Sequence, residues 1–128
     1  MLVPAPVQQQ IVEQAPKFAY VPSPLAPGWR YVTWSSTGRL LVIVFRNRAG
    51  SEVDFLVSRF TGGSCSYGEQ KSFQMAGVKT YWSHTAAQQR AWRCVGGMLL
   101  TAVTSLPSSR FADVGLARLA ASGHRLRR

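Results

Sequence analysis

The side chains that could act as a nucleophile, a base or a metal ligand are few in this sequence and scattered along it. His84 lies beside Ser83 and Thr85 at the predicted start of a loop, and no Asp or Glu occurs within ten residues of it. A catalytic base needs a neighbouring group that orients it, and the other histidine, His124, lies in a basic C-terminal segment. This pattern predicts a protein that is not an enzyme. An enzyme that depends on His84 or Cys65 is the alternative.

The acidic residues form no pattern typical of catalysis or metal binding. Glu52 and Asp54 are predicted to share one face of a strand, ordinarily a solvated face. The sequence has neither a CxxC motif nor two histidines four residues apart, which are common zinc-site spacings. Gly62-Gly63 and Gly96-Gly97 lack the strand–loop–helix setting of a phosphate-binding loop. We therefore expect no cofactor and no metal. The acidic residues are Glu13, Glu52, Asp54, Glu69 and Asp113.

The two cysteines could form a disulfide bond. Cys65 lies in the predicted loop segment GGSCSYG, and Cys94 lies in a predicted strand 29 positions later. A disulfide between them would form in an oxidising compartment, and closing that ring would stabilise the fold by roughly 3–4 kcal/mol in the chain-entropy model. The alternative is a pair of unrelated reduced thiols, one of which lies in the core.

The chain is strongly basic, with 15 Lys and Arg against 5 Asp and Glu and a formal net charge of +10. Such an excess favours polyanionic partners, namely nucleic acid, anionic lipid headgroups or an acidic protein. Twelve of the cations are arginine, and they are scattered apart from the C-terminal run Arg125, Arg127 and Arg128. Because no basic helix or stripe emerges, a generally solubilising surface is the alternative interpretation.

Aromatic residues interleaved with cations give one positive signal of binding. Stacking rings beside arginines could form a platform for single-stranded nucleic acid. The same rings could instead fill a core between a sheet and a helix. The candidate binding surface comprises Trp34, Tyr81, Trp82, Arg90 and Arg93.

The best local signal is a hairpin centred on Gly96-Gly97, between strands predicted at 90–95 and 98–105. Two consecutive glycines readily adopt the positive φ angles of a two-residue turn. That turn predicts that Val95 faces Met98. Since side chains alternate across a strand, one set of residues shares a face, which we predict to be the core face. This set comprises Trp92, Cys94, Leu99, Thr101 and Val103.

The remaining pattern predicts an α+β fold, an antiparallel sheet of about six strands with a C-terminal helix packed on one face and a short N-terminal arm or helix. Leu40 to Phe45 is apolar throughout, which predicts a central strand covered on both faces. Ser108 or Ser109 is a suitable N-cap for a helix over 111–121, and Gly123 is placed to end it. The other predicted strands are 30–35, 52–60 and 78–83, with 71–75 leading back into the sheet.

At 128 residues and 14.1 kDa the chain is sized for a single domain. We predict an N-terminal arm or linker at 1–19, the α+β domain at 20–123 and a basic tail at 124–128. No apolar run approaches the roughly 18 residues of a membrane span. Pro4 and Pro6 interrupt the apolar N-terminus, which therefore does not read as a signal peptide, although a leader could have been removed.

Three segments resemble a bacterial extracytoplasmic domain of unknown function that occurs in anti-sigma-factor-like membrane proteins and in lipoproteins. AYVPSPLAPGW is similar to the "vPsyLPeGy" opening of that family, and MAGVKTYWSHTAAQQRAWRCVGGMLL resembles its late hairpin. LPSSRFADVGLARLAASG is similar to its final helix. The resemblance implies that Pro22, Leu25 and Gly28 shape the opening loop and that Trp92 lies in the sheet. It also implies an extracytoplasmic setting and no catalytic residue.

The sequence therefore predicts a non-enzymatic, extracytoplasmic domain that is secreted or lies in the cell envelope. Its expected partner is a protein or an anionic envelope component, either a lipid or a polymer. The alternative is a cytoplasmic, basic nucleic-acid-binding protein that uses arginines and exposed aromatic rings. Binding by that alternative protein should weaken steeply with salt, because phosphate contacts release counterions.

Overall fold

The computed structural model describes residues 3–23, 29–48, 50–66, 68, 71–75, 77–105 and 113–127. An N-terminal helix, α1 (Ala5–Gln14), is followed by a 3-10 helix (Pro16–Phe18), and a second helix, α2 (Asp113–Ser122), lies near the C-terminus. The strands are β1 (Tyr20–Val21), β2 (Arg30–Ser36), β3 (Leu40–Arg46), β4 (Glu52–Arg59), β5 (Lys71–Met75), β6 (Val78–His84), β7 (Gln89–Val95), β8 (Met98–Thr104) and β9 (His124–Arg125).

Seven of the strands form one antiparallel sheet in the order β2-β3-β4-β8-β7-β6-β5, and β1 pairs with β9 in a second, two-stranded sheet. The predicted α+β class is confirmed, but the main sheet has seven strands instead of about six. The additional strand is β5, which pairs with β6 at the sheet edge, where Met75 opposes Val78. Gly77, with a φ of +80°, allows the tight turn between them.

The hairpin at Gly96-Gly97 has the predicted register. Both glycines have positive φ angles, +55° and +78°, as a type I′ turn requires. Val95 opposes Met98, and Trp92 opposes Thr101 across β7 and β8. The turn chemistry therefore fixes how the two strands pair.

All the helices in the described part of the chain cover the same face of the main sheet. α1 and the 3-10 helix contribute Ile11 and Phe18 to a cluster over β3, β4 and β8, and α2 contributes Leu116 to a second cluster over β6, β7 and β8. We call this side the covered face and the opposite side the open face. On the covered face, Phe55 and Ala102 are completely buried. One layer of helices on one sheet therefore encloses the core.

The predicted core face of the hairpin is wrong. Leu100 and Ala102, which point to the covered face, are completely buried, whereas Leu99 and Val103 on the open face are half-buried. Strand alternation separates the two faces but does not identify which one a distant helix will cover. Trp92, also on the open face, is nevertheless buried, and the loop that holds Cys65 accounts for this.

The apolar strand β3 also departs from its prediction. It lies second from the edge of the sheet, and only its covered face, with Leu41 and Ile43, is buried. Val42 and Val44 point to the open face and are half-buried. An unbroken apolar run therefore does not require burial on both faces here.

The predicted ends of the domain are packed or paired. Val3 and Ile11, in the predicted arm, are buried in the core. His124 and Arg125, in the predicted basic tail, pair with Val21 and Tyr20. No helix within the described ranges is long and apolar enough to cross a membrane.

Gly123 directly follows α2, as the sequence predicts, but the reason for glycine there is a close approach. A Cβ at this position would lie 2.7 Å from Leu100 Cδ1 and 2.9 Å from Phe55 Cζ. Both neighbours are completely buried and have little room to move. Glycine therefore lets the end of α2 lie directly on the centre of the sheet.

A disulfide bond joins Cys65 to Cys94, with their Cα atoms 6.1 Å apart. Cys94 and Trp92 lie on the open face of β7, and the Trp92 indole Nε1–H donates a 2.6 Å hydrogen bond to the Cys65 carbonyl oxygen. The connection from the central strand β4 to the edge strand β5 is therefore tethered to the open face, where it covers Trp92.

We expect loss of the disulfide to destabilise the protein. The double variant Cys65→Ala/Cys94→Ala should unfold with a free energy about 3–4 kcal/mol lower than wild type, because the unfolded chain regains loop freedom. Urea unfolding followed by far-ultraviolet circular dichroism measures this difference.

Alkylation without reductant supplies the control for that experiment. Denatured wild-type protein should gain no alkyl group, and should gain two after reduction. Reductant should lower the stability of the wild type but not that of the double variant. Equal stability of the two proteins without reductant would contradict a stabilising role for the bond.

Candidate anion-binding site

The predicted aromatic and basic surface does not form one platform, because its residues are divided between the two faces of the sheet. Trp82 is 6% exposed and packs in the cluster with α2. The Arg93 guanidinium donates from Nη1 to the Ala121 carbonyl oxygen at 3.0 Å, and burial lowers the pKa of Arg93. Trp34 is half-buried on the covered face, with its Nε1 3.4 Å from Gln10 Oε1 on α1.

Tyr81 and Arg90 lie on the open face. The Tyr81 ring stacks on Trp92 at a centroid distance of 5.9 Å, and Lys79 Nζ lies 5.6 Å from the centroid of the Tyr81 ring. Arg90 is exposed. Since Trp92 is 4% exposed beneath the disulfide-tethered loop, Tyr81 supplies the accessible ring of this stacked pair.

The histidines occupy separate positions at the surface. The His84 ring stacks on Trp82, with ring centroids 5.0 Å apart. His124 Nδ1 lies 3.2 Å from the Ser122 carbonyl oxygen. Across the part of the chain that the structure describes, no group of three His, Cys, Asp or Glu side chains could hold a metal ion.

Glu52 and Asp54 form a closer pair than the sequence analysis indicates. Burial, the largest cause, together with a hydrogen bond to Glu52 and the negative charge of Glu52, raises the pKa of Asp54 to about 6. Asp54 Oδ1 is buried without a hydrogen-bond partner among the described residues, whereas Glu52 Oε1 accepts from Arg46 Nη2 at 3.1 Å. Their spacing of two residues on a strand is the signal that places them together.

A basic pocket at one end of the sheet brings together three cations that are distant in the sequence. Lys17, Arg39 and Arg59 line a cavity of about 540 Å³. We call it the Lys17–Arg39–Arg59 pocket. Phe18 also lines it, together with Gly38, Ser58 and Thr61. None of the cations belonged to the surface predicted from sequence, because their spacing follows neither a helix nor a strand.

Strand pairing positions the two arginines of this pocket. Leu40 pairs with Ser58 where β3 begins and β4 ends, so the adjacent residues Arg39 and Arg59 lie at the same end of the sheet. The turn before β3 is fixed by two hydrogen bonds, one from Thr37 N to the Leu40 carbonyl oxygen at 2.9 Å and one from Arg39 N to Thr37 Oγ1 at 3.1 Å. Arg39, in this turn, and Arg59, the last residue of β4, therefore line the same cavity.

The 3-10 helix positions the third cation. Phe18 is 5% exposed and belongs to the core cluster over β3 and β4, and Phe18 N donates to the Ala15 carbonyl oxygen at 3.0 Å. Lys17, the preceding residue, is exposed. Anchoring of the phenylalanine thus holds the ammonium group at the rim of the pocket.

The pocket concentrates positive charge that the surrounding protein does not neutralise. No acidic side chain is among the described residues that line it. Arg46 and Glu52 form an ion pair elsewhere in the structure. Lys17, Arg39 and Arg59 have no ion-pair partner among the described residues. Like charges held close together repel each other and are destabilising. A bound anion would relieve this repulsion, and the hydroxyl groups of Ser58 and Thr61 could donate hydrogen bonds to it.

No protein-family model matches the chain, and a search of curated proteins finds no significant match. The resemblance to the extracytoplasmic family therefore stays a prediction.

We expect Asp54 to make the stability of the fold depend on pH. Since its pKa is raised above the ordinary value of 3.8 to about 6, the folded state favours the protonated form. Its stabilising contribution is therefore complete below about pH 4 and lost as the pH rises through 6. After solvent screening, the loss should be on the order of 1 kcal/mol.

The variant Asp54→Asn tests this pH dependence by urea unfolding at a series of pH values. The wild-type free energy of unfolding, relative to that of the variant, should fall between pH 4 and 6. A Glu13→Gln variant, which alters an exposed carboxylate on α1, should keep the wild-type slope. If the wild-type free energy of unfolding, relative to that of Asp54→Asn, rises with pH over this interval, the predicted direction of the pH dependence is wrong.

Repulsion within the pocket gives a second expectation. The double variant Arg39→Gln/Arg59→Gln should be more stable than wild type by about 0.5 kcal/mol at low ionic strength, because a like-charge pair is removed. The gain should largely disappear at about 1 M salt, where the Debye length is about 3 Å. Thermal and urea unfolding at the two salt concentrations measure both effects.

Arg48→Gln, which removes one charge, is the control, because Arg48 is exposed in the turn after β3, at the other end of the sheet. Its stability should differ from wild type by much less than that of the double variant. A double variant that is less stable than wild type at low salt would indicate that the arginines hold the fold together.

Proposed function

We propose that the protein is a non-enzymatic domain of an oxidising, extracytoplasmic compartment, and that it binds an anionic component of the cell envelope in the Lys17–Arg39–Arg59 pocket. The observation that carries the proposal is the convergence of three cations on one cavity of about 540 Å³ without an acidic residue among its described lining. A folded protein gains nothing in stability from such a cluster. Its physical use is the attraction of negative charge.

The disulfide supports the oxidising compartment. It links a loop to a strand of the main sheet, and structural disulfides persist mainly in secreted and envelope proteins. It also bears on the enzymatic alternative. Cys65 is bonded to Cys94, and its sulfur therefore has no thiolate form that could attack a substrate.

The composition of the pocket favours an oxyanion such as phosphate. Two arginines supply planar donor groups that match the oxygens of a phosphate, and a lysine supplies a mobile point charge. The ring in the lining, Phe18, is buried at 5% exposure. Recognition of a nucleic-acid base requires an accessible ring or a groove that reads base edges. Charge recognition of phosphate groups is therefore better supported than recognition of bases.

Binding of inorganic tripolyphosphate at low salt tests this function directly by isothermal titration calorimetry. We expect the triple variant Lys17→Gln/Arg39→Gln/Arg59→Gln to bind at least about tenfold more weakly than wild type. The slope of log K against log salt is negative, and we expect its magnitude to decrease by about 1 for each phosphate contact that is removed.

The matched control is Arg48→Gln/Arg90→Gln/Arg118→Gln, which removes the same number of charges at exposed positions outside the pocket. It should stay within about threefold of the wild-type affinity if the contacts are local rather than a long-range effect of net charge. An equal loss of affinity in the two triple variants would show that binding depends on net charge and not on the pocket. The alkylation measurement above, made on protein from its native host, tests the compartment.

A further inference from the structure

A second basic depression lies on the other side of the 3-10 helix. Pro16 and Ala19 line it, whereas Lys17 and Phe18 line the first pocket. The cavity has a volume of about 690 Å³. Its cationic lining comes from Arg125 and Arg127, and its remaining residues are Val12, His124 and Leu126. We call it the Arg127 depression.

The backbone around the Arg127 depression is held in place by hydrogen bonds. Leu126 N donates to the Ala19 carbonyl oxygen at 2.7 Å. The Arg125 guanidinium lies 5.5 Å from the centroid of the Tyr20 ring and donates from Nη2 to the Pro16 carbonyl oxygen at 3.3 Å. Arg125 therefore fixes the last strand against the 3-10 helix, and its charge remains at the depression.

Arg127 is the cation that this arrangement leaves available. It is exposed and has no hydrogen-bond or ion-pair partner within the described ranges. It also lines a neighbouring cavity of about 490 Å³ along α1, which contains Glu13. The Glu13 carboxylate accepts a hydrogen bond from Gln9 at 3.1 Å and forms no ion pair with Arg127.

The two cavities are close enough for one ligand. Pro16 of the Arg127 depression directly precedes Lys17 of the first pocket, and Phe18 directly precedes Ala19, so lining residues of the two cavities lie about 3.8 Å apart between their Cα atoms. Pro16 to Ala19 form a narrow ridge between them, and the cations lie on both sides.

We propose that a linear polyanion crosses this ridge and occupies both cavities. The inference rests on the proposed function and names the class of its ligand, a chain of repeated phosphate groups instead of an isolated anion. Once one segment of the chain is bound, the second contact becomes intramolecular. Its high effective concentration raises the overall affinity without any new type of contact.

Recognition in this arrangement depends on charge along the chain and not on bases. Among the described residues that line the two cavities, Phe18 is buried and no Phe, Tyr or Trp ring is exposed; the exposed ring is the imidazole of His124. An abasic phosphodiester strand should therefore bind as well as an oligothymidylate of the same length. A clear preference for the strand that carries bases would overturn the polymer proposal in favour of nucleic-acid recognition.

The decisive comparison uses two probes, inorganic tripolyphosphate and long-chain polyphosphate, at matched phosphate concentration and low salt. We expect Arg127→Gln to weaken binding of the long chain by about tenfold and to leave tripolyphosphate within about twofold of wild type. The variant Arg39→Gln/Arg59→Gln should weaken binding of both probes. Arg48→Gln is the control, since it removes one charge at the opposite end of the sheet.

The outcomes separate this inference from the proposed function. If tripolyphosphate binding depends on Arg39 and Arg59 but Arg127→Gln and Arg48→Gln affect the long chain equally, the proposed pocket stands and the two-cavity chain is refuted. If neither probe requires Arg39 and Arg59, the proposed function itself fails. In a third outcome, the protein binds phosphatidylglycerol vesicles but neither long-chain polyphosphate nor phosphatidylcholine vesicles. That result would assign the pocket to anionic lipid headgroups and overturn the proposal of a polymeric ligand.

Discussion

The pairing of β4 with β8 is the contact on which the rest of this structure depends. It joins the β2–β3–β4 meander to the later hairpins, with Phe55 opposite Ala102 and Val57 opposite Leu100. Thr104 Oγ1 adds a 2.8 Å hydrogen bond to the Glu52 carbonyl oxygen at the end of the pair. Because the pair lies at the centre of the main sheet, both helical clusters pack over it. Gly123 then allows the end of α2 to lie directly on Phe55 and Leu100.

The pairing of β3 with β4 explains why the basic pocket forms at one end of the sheet. β3 and β4 end together beside the 3-10 helix, and the core contact of Phe18 holds that helix in place. Arg39 and Arg59 lie just beyond the last paired residues of β3 and at the end of β4, where repulsion between them disturbs few ladder hydrogen bonds. The fold can therefore tolerate an unneutralised cluster there, whereas the centre of the sheet, with Phe55 and Leu100 completely buried, could not.

Local signals in the sequence predict most strands of the main sheet and the Gly96-Gly97 turn, and they favour a disulfide between the two cysteines. These features depend on residues close in sequence or on few possible partners. The choice of the covered face was wrong, since Leu99 and Leu100 are equally apolar and the position of α2 decides between them. The pocket could not be predicted. Lys17, Arg39 and Arg59 come together only through long-range pairing and the docking of Phe18, and neither contact leaves a periodic pattern.

The disulfide and the basic cavities lie in different parts of the structure and have separate roles. Val42, Leu56, Thr101 and Trp92 form a row across the open face from β3 to β7, and the loop of Cys65 covers the Trp92 end of that row through the bond to Cys94 and the indole hydrogen bond. No described helix packs on that side of the sheet, and the disulfide-tethered loop shields its Trp92 end. The basic cavities lie around the 3-10 helix. The core cluster holds that helix in place through Phe18, and the loop of Cys65 plays no part in this. Anion binding should consequently depend on the packing of Phe18 far more than on the disulfide.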